Sequence, residues 1–191
     1  MEPAATSELI AASMDTPIAA MADFDKVVEL YWSRVFRFVL SSIRDRDAAE
    51  TLTQDCFMKA YRARDRFRGD SSVITWLMRI AINLVRDYGR NRRLQFWKWV
   101  RSSPVDTATI GDWIPDRGVS PEARAVLGNQ IEKVWQATAD LSDRQRTVFV
   151  LRFVDDMDLL EIAAVTGLTE GAVKVHLFRA LQSIRNRIGS L

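Results

Sequence analysis

A chain of 191 residues with 48% apolar side chains has room for one ordinary domain or two small ones, and too much hydrophobic content for general disorder. Its 27 basic residues against 25 acidic ones leave a net charge of only +2, so affinity for nucleic acid must come from where the cations sit. The single cysteine, Cys56, excludes an internal disulfide framework and a cysteine-rich zinc site, and fits a reducing cytoplasm; no apolar run approaches the roughly 18 residues of a membrane helix.

Residues 1–22 are interrupted by Glu2, Pro3, Glu8, Asp15 and Pro17. They lack the basic start and unbroken apolar core of a signal peptide, and read as a mobile tail or a segment ordered by a partner. From 23 to 93 three helical periods follow. Phe24, Val27, Val28, Tyr31 and Val35 form the first stripe, and Ala49, Leu52, Cys56, Ala60 and Ala63 the second. In the third, Val73, Trp76, Leu77, Ile80, Ala81, Leu84 and Tyr88 keep the i, i+3, i+4, i+7 spacing, with Ser71 or Ser72 placed to cap its start. Three amphipathic helices can bury one another's stripes, which predicts a first domain.

Over 94–121 the periodicity fails and Pro104, Gly111, Pro115, Gly118 and Pro121 mark a flexible linker, acidic in its later part through Asp106, Asp112 and Asp116 against Arg117. The stripe resumes over 122–191 with Ala123, Val126, Leu127, Ile131, Val134 and Trp135. Shorter helices are expected around 144–153, 159–165 and 171–188. No strand-like alternation competes, so the expected fold is all-α: a three-helix domain, a linker and a four-helix domain.

Within the second domain, residues 159–173 describe a helix-turn-helix: a short helix with Ala163 and Ala164 at the crossing, Gly167 for a tight turn, then a second amphipathic helix. Val173, Leu177, Ala180, Leu181 and Ile184 would be buried, turning Lys174, Val175, Phe178, Arg179 and Gln182 outward with His176 at the margin. The N-terminal part of such a helix can enter the major groove, where Lys and Arg reach guanine or phosphate and Val meets a thymine methyl. A helical hairpin with a solvated basic face is the plainer alternative.

The third helix of the first domain carries a second signal. Opposite its apolar stripe lie Thr75, Met78, Arg79, Ile82, Asn83, Arg86, Arg90 and Arg93, a face nearly free of acids. Such a stripe can follow a phosphate backbone while Asn83 reaches a base edge. Trp97 and Trp99 could stack on bases or pack in the core.

Enzyme constellations do not emerge. Lone His176 and lone Cys56 are far apart, and Cys56 falls on a core stripe, where a small buried hydrophobe is its plainest role. Glu50, Asp55 and Glu161 read as helix-surface carboxylates. No cofactor, metal site or catalytic set is expected.

The string Trp76-Leu77-Met78-Arg79-Ile80-Ala81-Ile82-Asn83, preceded by Phe67-Arg68-Gly69-Asp70, resembles the −10 element reader of the bacterial extracytoplasmic-function sigma factors. Residues 47–57 resemble that group's polymerase-binding helix. Leu141-Ser142-Asp143-Arg144-Gln145-Arg146, Leu151-Arg152, Glu161-Ile162-Ala163, Val173-Lys174 and Phe178-Arg179-Ala180 resemble its −35 reader. The likeness covers about residues 23–190. It departs from the group's usual pattern at Thr51, commonly acidic, Ser142, commonly proline, and Ala172, commonly threonine. It departs also at Val175 and His176, where small polar and basic residues are favoured, so the −35 preference cannot be copied from relatives.

The resemblance implies a polymerase subunit without catalysis of its own: residues 23–93 as sigma region 2, 94–121 as a linker lying in a nucleic-acid channel of the polymerase, and 122–191 as region 4. It implies polymerase contacts from Leu52, Gln54, Asp55 and Phe57. It implies −10 contacts from Phe67, Arg68, Gly69, Asp70, Ser71, Arg79, Asn83, Arg86 and Arg90, and −35 contacts from Lys174, Val175, His176, Phe178 and Arg179. Partners would be core RNA polymerase, promoter DNA and an anti-sigma protein, often membrane-anchored, in a stress or envelope response, all in the cytoplasm. The rival reading is an ordinary helix-turn-helix regulator, which accounts for 158–188 but not for the Arg-Asn face of the third helix.

Overall fold

A computed structural model describes residues 23–99, with side chains to Asn91, and residues 133–189. Among the described residues all regular structure is helical. Helix α1 spans Phe24–Ile43 and ends where Arg44 turns left-handed (φ 55°), its N–H donating to the Leu40 carbonyl. Asp45 then starts α2, Arg46–Ala63, its carboxylate accepting the Ala48 N–H at 3.0 Å to satisfy one of the orphan donors of a helix N-terminus. A single 3₁₀ turn, Arg64–Arg66, leads into a loop. Helix α3 begins at Val73 with Ser72 as the capping serine, its hydroxyl accepting the Thr75 N–H at 3.2 Å, and runs to Trp99.

That run extends α3 beyond the expected end at 93. Leu94 to Trp99 contain neither proline nor glycine, and the first breaker is Pro104. The loss of amphipathic periodicity does not end the helix, because backbone hydrogen bonding needs no apolar stripe. The stacking roles weighed for Trp97 and Trp99, the tail 1–22, Arg93 and the linker prolines lie outside the described side chains.

The three helices pack pairwise around Val27, Val35, Phe38, Ala49, Cys56, Ala60, Leu77 and Ala81. Met78, expected on the open face of α3, is fully buried. Helix α3 is packed by α1 and α2 on one side and by the second domain on another, so its buried arc is wider than one stripe.

In the second domain, residues 133–138 are helical. Arg146 reaches back to the open end of that segment, donating to the carbonyls of Thr138, Ala139 and Leu141 at 3.1, 2.8 and 3.3 Å. Helix α4, Asp143–Phe153, opens on a capping box between Ser142 and Gln145. Helix α5, Leu159–Thr166, opens on a second box between Asp158 and Glu161, and Gly167 (φ 70°) ends it. Glu161 is therefore a capping residue, not a free surface carboxylate. Helix α6 spans Glu170–Gly189. Val173, Ala180 and Ile184 are its buried line; Leu177 is half-buried and Leu181, expected inside, is exposed at its edge.

The two helical units also touch. α3 lies against α5 and α1 against α4. Beside these contacts a cleft of about 550 Å³ opens, with Ile43, Ile82, Val85 and Tyr88 on one wall and Thr147, Val148 and Leu168 on the other.

Candidate nucleic-acid and polymerase interfaces

Positions 79, 83, 86 and 90 recur at helical spacing, and Arg79, Asn83, Arg86 and Arg90 are all exposed along α3. Arg86 donates to the Asn83 amide oxygen at 2.5 Å, which orients that amide. Arg90 pairs with Asp87 at 3.1 Å. Arg79, though exposed, is engaged: its Nε donates to the backbone carbonyl of Ala164, in α5, at 3.1 Å.

The loop ahead of α3 rests on Phe67, which is buried with its ring tilted against Trp76 at 5.1 Å between centroids. Phe67 is thus a support for the loop and not a contact surface, a correction to its expected role. Gly69 takes the left-handed conformation (φ 78°), and Arg68 and Asp70 present the exposed side chains, with Ser71 half-buried.

On α2, Gln54 and Asp55 are exposed as expected. Leu52 and Phe57 are not. Leu52 lies in the core, and Phe57 stacks on Trp32 (centroids 5.6 Å, 20° between planes) and meets Phe24 edge-on. At about 100° per residue, Phe57 falls beside Thr53 and Ala60 on the buried arc, so both are corrected to core residues. The apolar residues that share the Gln54 face are Met58 and Tyr61, each about half exposed. Tyr61 is flanked by Phe24 and by the Arg64 guanidinium, 3.9 Å from its ring centroid. The i+4 and i+7 spacing from Gln54 was the available signal for these two.

On α6, Lys174, Val175, Phe178 and Arg179 face outward, with Phe178 66% exposed. Lys174 is tied to Glu170 at 2.6 Å. His176 is half-buried, its Nδ1 enclosed without a hydrogen-bond partner, so it belongs to the edge of the domain more than to the groove-facing surface.

Cys56 is enclosed, its Sγ 3.5 Å from the Leu77 carbonyl, and burial pushes its thiol up to about 12. Asp155, which no sequence pattern singled out, is a buried titratable group. Its side chain is wholly enclosed between Arg34 and Arg37 of α1, and burial raises its carboxyl above the usual range despite the pull of both guanidiniums. Among the described residues no cluster of acidic, histidine and cysteine side chains could hold a metal, and no helix is long and apolar enough to cross a membrane.

Two family models match: Sigma-70 region 2 over residues 27–95 and Sigma-70, region 4 over residues 131–184. The RNA polymerase sigma-H factor of Pseudomonas aeruginosa is 33% identical over 172 residues, 84% of this chain and 83% of the relative. The ECF RNA polymerase sigma-E factor of Escherichia coli K12 is 30% identical over 174 residues, 88% of this chain and 87% of the relative. Among solved structures, the sigma factor RpoE bound to the anti-sigma factor NepR from Bartonella quintana shares the fold, with a TM-score of 0.67 at 23% identity, covering 87% of this chain and 97% of that one.

Proposed function

Because the chain belongs to the extracytoplasmic-function sigma factors of the sigma-70 family, which bind core RNA polymerase and direct it to promoters, we propose how its residues divide that work. The Asn83 amide, held by Arg86, reads a −10 base presented by the loop of Arg68, Gly69, Asp70 and Ser71. Arg86 and Arg90 hold flanking phosphates, and Arg79 joins them once released from Ala164. Lys174, Val175, Phe178 and Arg179 read the −35 element in the major groove. Gln54 and Asp55, now with Met58 and Tyr61, form the polymerase-docking face of α2. Phosphodiester chemistry is left to the polymerase.

The observation that carries this reading is the presence of exposed cationic side chains on two different helices of one chain, Arg86 and Arg90 on α3 and Lys174 and Arg179 on α6. A dimeric regulator needs only α6; the oriented Asn83 and its arginines on α3 support a second, base-trapping site. The solved relative held by an anti-sigma factor, together with the cleft between the two helical units, supports regulation by a protein that competes with polymerase. The protein would act in the cytoplasm, where core polymerase works. Promoter binding measured with and without purified core tests the assignment: specific occupancy of paired −35 and −10 elements requires core. Equal sequence-specific binding of the protein alone to an inverted repeat would support the regulator instead.

A further inference from the structure

Between residues 171 and 179 of α6 the exposed side chains are Lys174, Val175, Phe178 and Arg179. At about 100° per residue, Val175 and Phe178 stand about 60° apart and between the two cations, so this end of the helix presents an apolar centre flanked by charge. Val175 is 47% exposed, which leaves its methyl groups open to contact. The polar neighbours are drawn away from that centre. Lys174 pairs at 2.6 Å with Glu170, which lies on the side of it away from Val175, and the Nδ1 of His176 is enclosed. Gln182 shares the arc of Val175 but stands two turns further along the helix. Gly171, one turn before Val175 on the same face, is exposed, and the first carbon of a side chain there would meet nothing within 4 Å. The protein's own packing therefore makes no demand for glycine at 171, and the bare backbone lets an outside surface come close.

We propose that Val175 makes this protein select a thymine in its −35 element by the 5-methyl group, with Phe178 as the neighbouring wall of the same contact. The proposal rests on the sigma-factor reading for the identity of the DNA and adds to it a base that this chain prefers. Thymine alone among the four bases puts a methyl group into the major groove. Valine has neither donor nor acceptor on its side chain, so it cannot favour a base edge by hydrogen bonding. Set against the N4 amino group of cytosine, or against a purine edge, it covers a polar group that loses water and gains no partner. The same side chain therefore rewards thymine and penalises the alternatives.

Stiffness adds to the selection. A β-branched side chain in a helix keeps one strongly preferred χ1 rotamer, so Val175 presents its methyl groups with little freedom left to lose on binding. An exposed valine brings neither strong helix propensity nor core burial, and neither accounts for its use at this position. Covering one methyl group is worth about a four-fold change in affinity, enough to fix one base in a binding-site selection.

The test uses the full-length protein bound to core RNA polymerase, with duplex promoters that this holoenzyme selects from a randomised −35 region. Each −35 thymine, on either strand, is then replaced by uracil, which keeps the pairing and the O4 acceptor and removes only the methyl group. One such replacement should weaken wild-type binding by about four-fold. The same replacement should leave binding by the Val175→Ser protein nearly unchanged, while Val175→Ile keeps the discrimination; circular dichroism confirms that both variants hold their helical content. A selected element without thymine, or one in which every uracil replacement is silent, overturns the proposal, as does a uracil effect of undiminished size in Val175→Ser. Holoenzyme with no −35 preference at all overturns the sigma-factor reading together with the proposal, whereas a sharp preference that ignores the methyl group overturns the proposal alone.

Discussion

The two helices proposed to face DNA are in opposite conditions. On α6 the outward side chains Val175 and Phe178 lie open, and Lys174 has a local charged partner in Glu170. On α3 the corresponding groups are occupied: Arg79 by Ala164, Asn83 by Arg86 and Arg90 by Asp87. A helix that meets intact duplex needs no preparation beyond exposure. One that traps a base from opened DNA must be oriented in advance and can be covered until needed.

The largest expected effect lies beneath both surfaces. Phe57→Ala removes a ring packed on Trp32 and Phe24 and should cost about 3–5 kcal/mol of stability, seen as a lowered denaturant midpoint, because it empties a core site. A selective loss of polymerase binding at unchanged stability would return Phe57 to the interface. On α6, Arg179→Ala should cost about 1–3 kcal/mol on the preferred −35 sequence and relax one position in a binding-site selection, whereas Lys174→Ala should weaken all sequences alike. An unaltered consensus would reduce Arg179 to a phosphate contact.

On α3 the comparison sharpens. Asn83→Ala should reduce open-complex formation by an amount that depends on the −10 sequence, while Arg90→Ala should weaken every promoter and flatten its salt dependence by about one unit of slope. Equal impairment of Asn83→Ala on all −10 sequences would remove its base-reading role. The smallest effect concerns Cys56. With its thiol pushed up to about 12 by burial, the reactive thiolate is suppressed near neutrality, so alkylation at pH 8 should proceed only as fast as the domain opens. The sign follows for stability too: the buried thiol favours the folded state below its ordinary value and loses that contribution as pH rises from 9.0 towards 12. Rapid labelling of the native protein would contradict the burial.

Helical period was enough to read α1, α2 and most of α3, because each carries an apolar stripe that is buried, and Gly167 was legible as the turn of the helix-turn-helix. Asp158 and Glu161 carried a readable capping-box spacing that a surface-carboxylate reading passed over. Other features were not local. Met78 is buried because α3 is packed from more than one side. Phe57 and Phe67 are motif positions whose rings turn inward, and a motif gives identity without direction. Asp155 meets arginines 118 and 121 positions away, a pairing no spacing rule can announce.

The central claim is that this chain gives core polymerase its promoter sequence. Transcription of a genomic DNA library by purified core polymerase, with and without the protein, measures that directly by mapping start sites. The account predicts start sites that appear only with the protein and share one −35 and −10 pair at fixed spacing, with the −10 preference altered by Asn83→Ala. Start sites unchanged by adding the protein would contradict it.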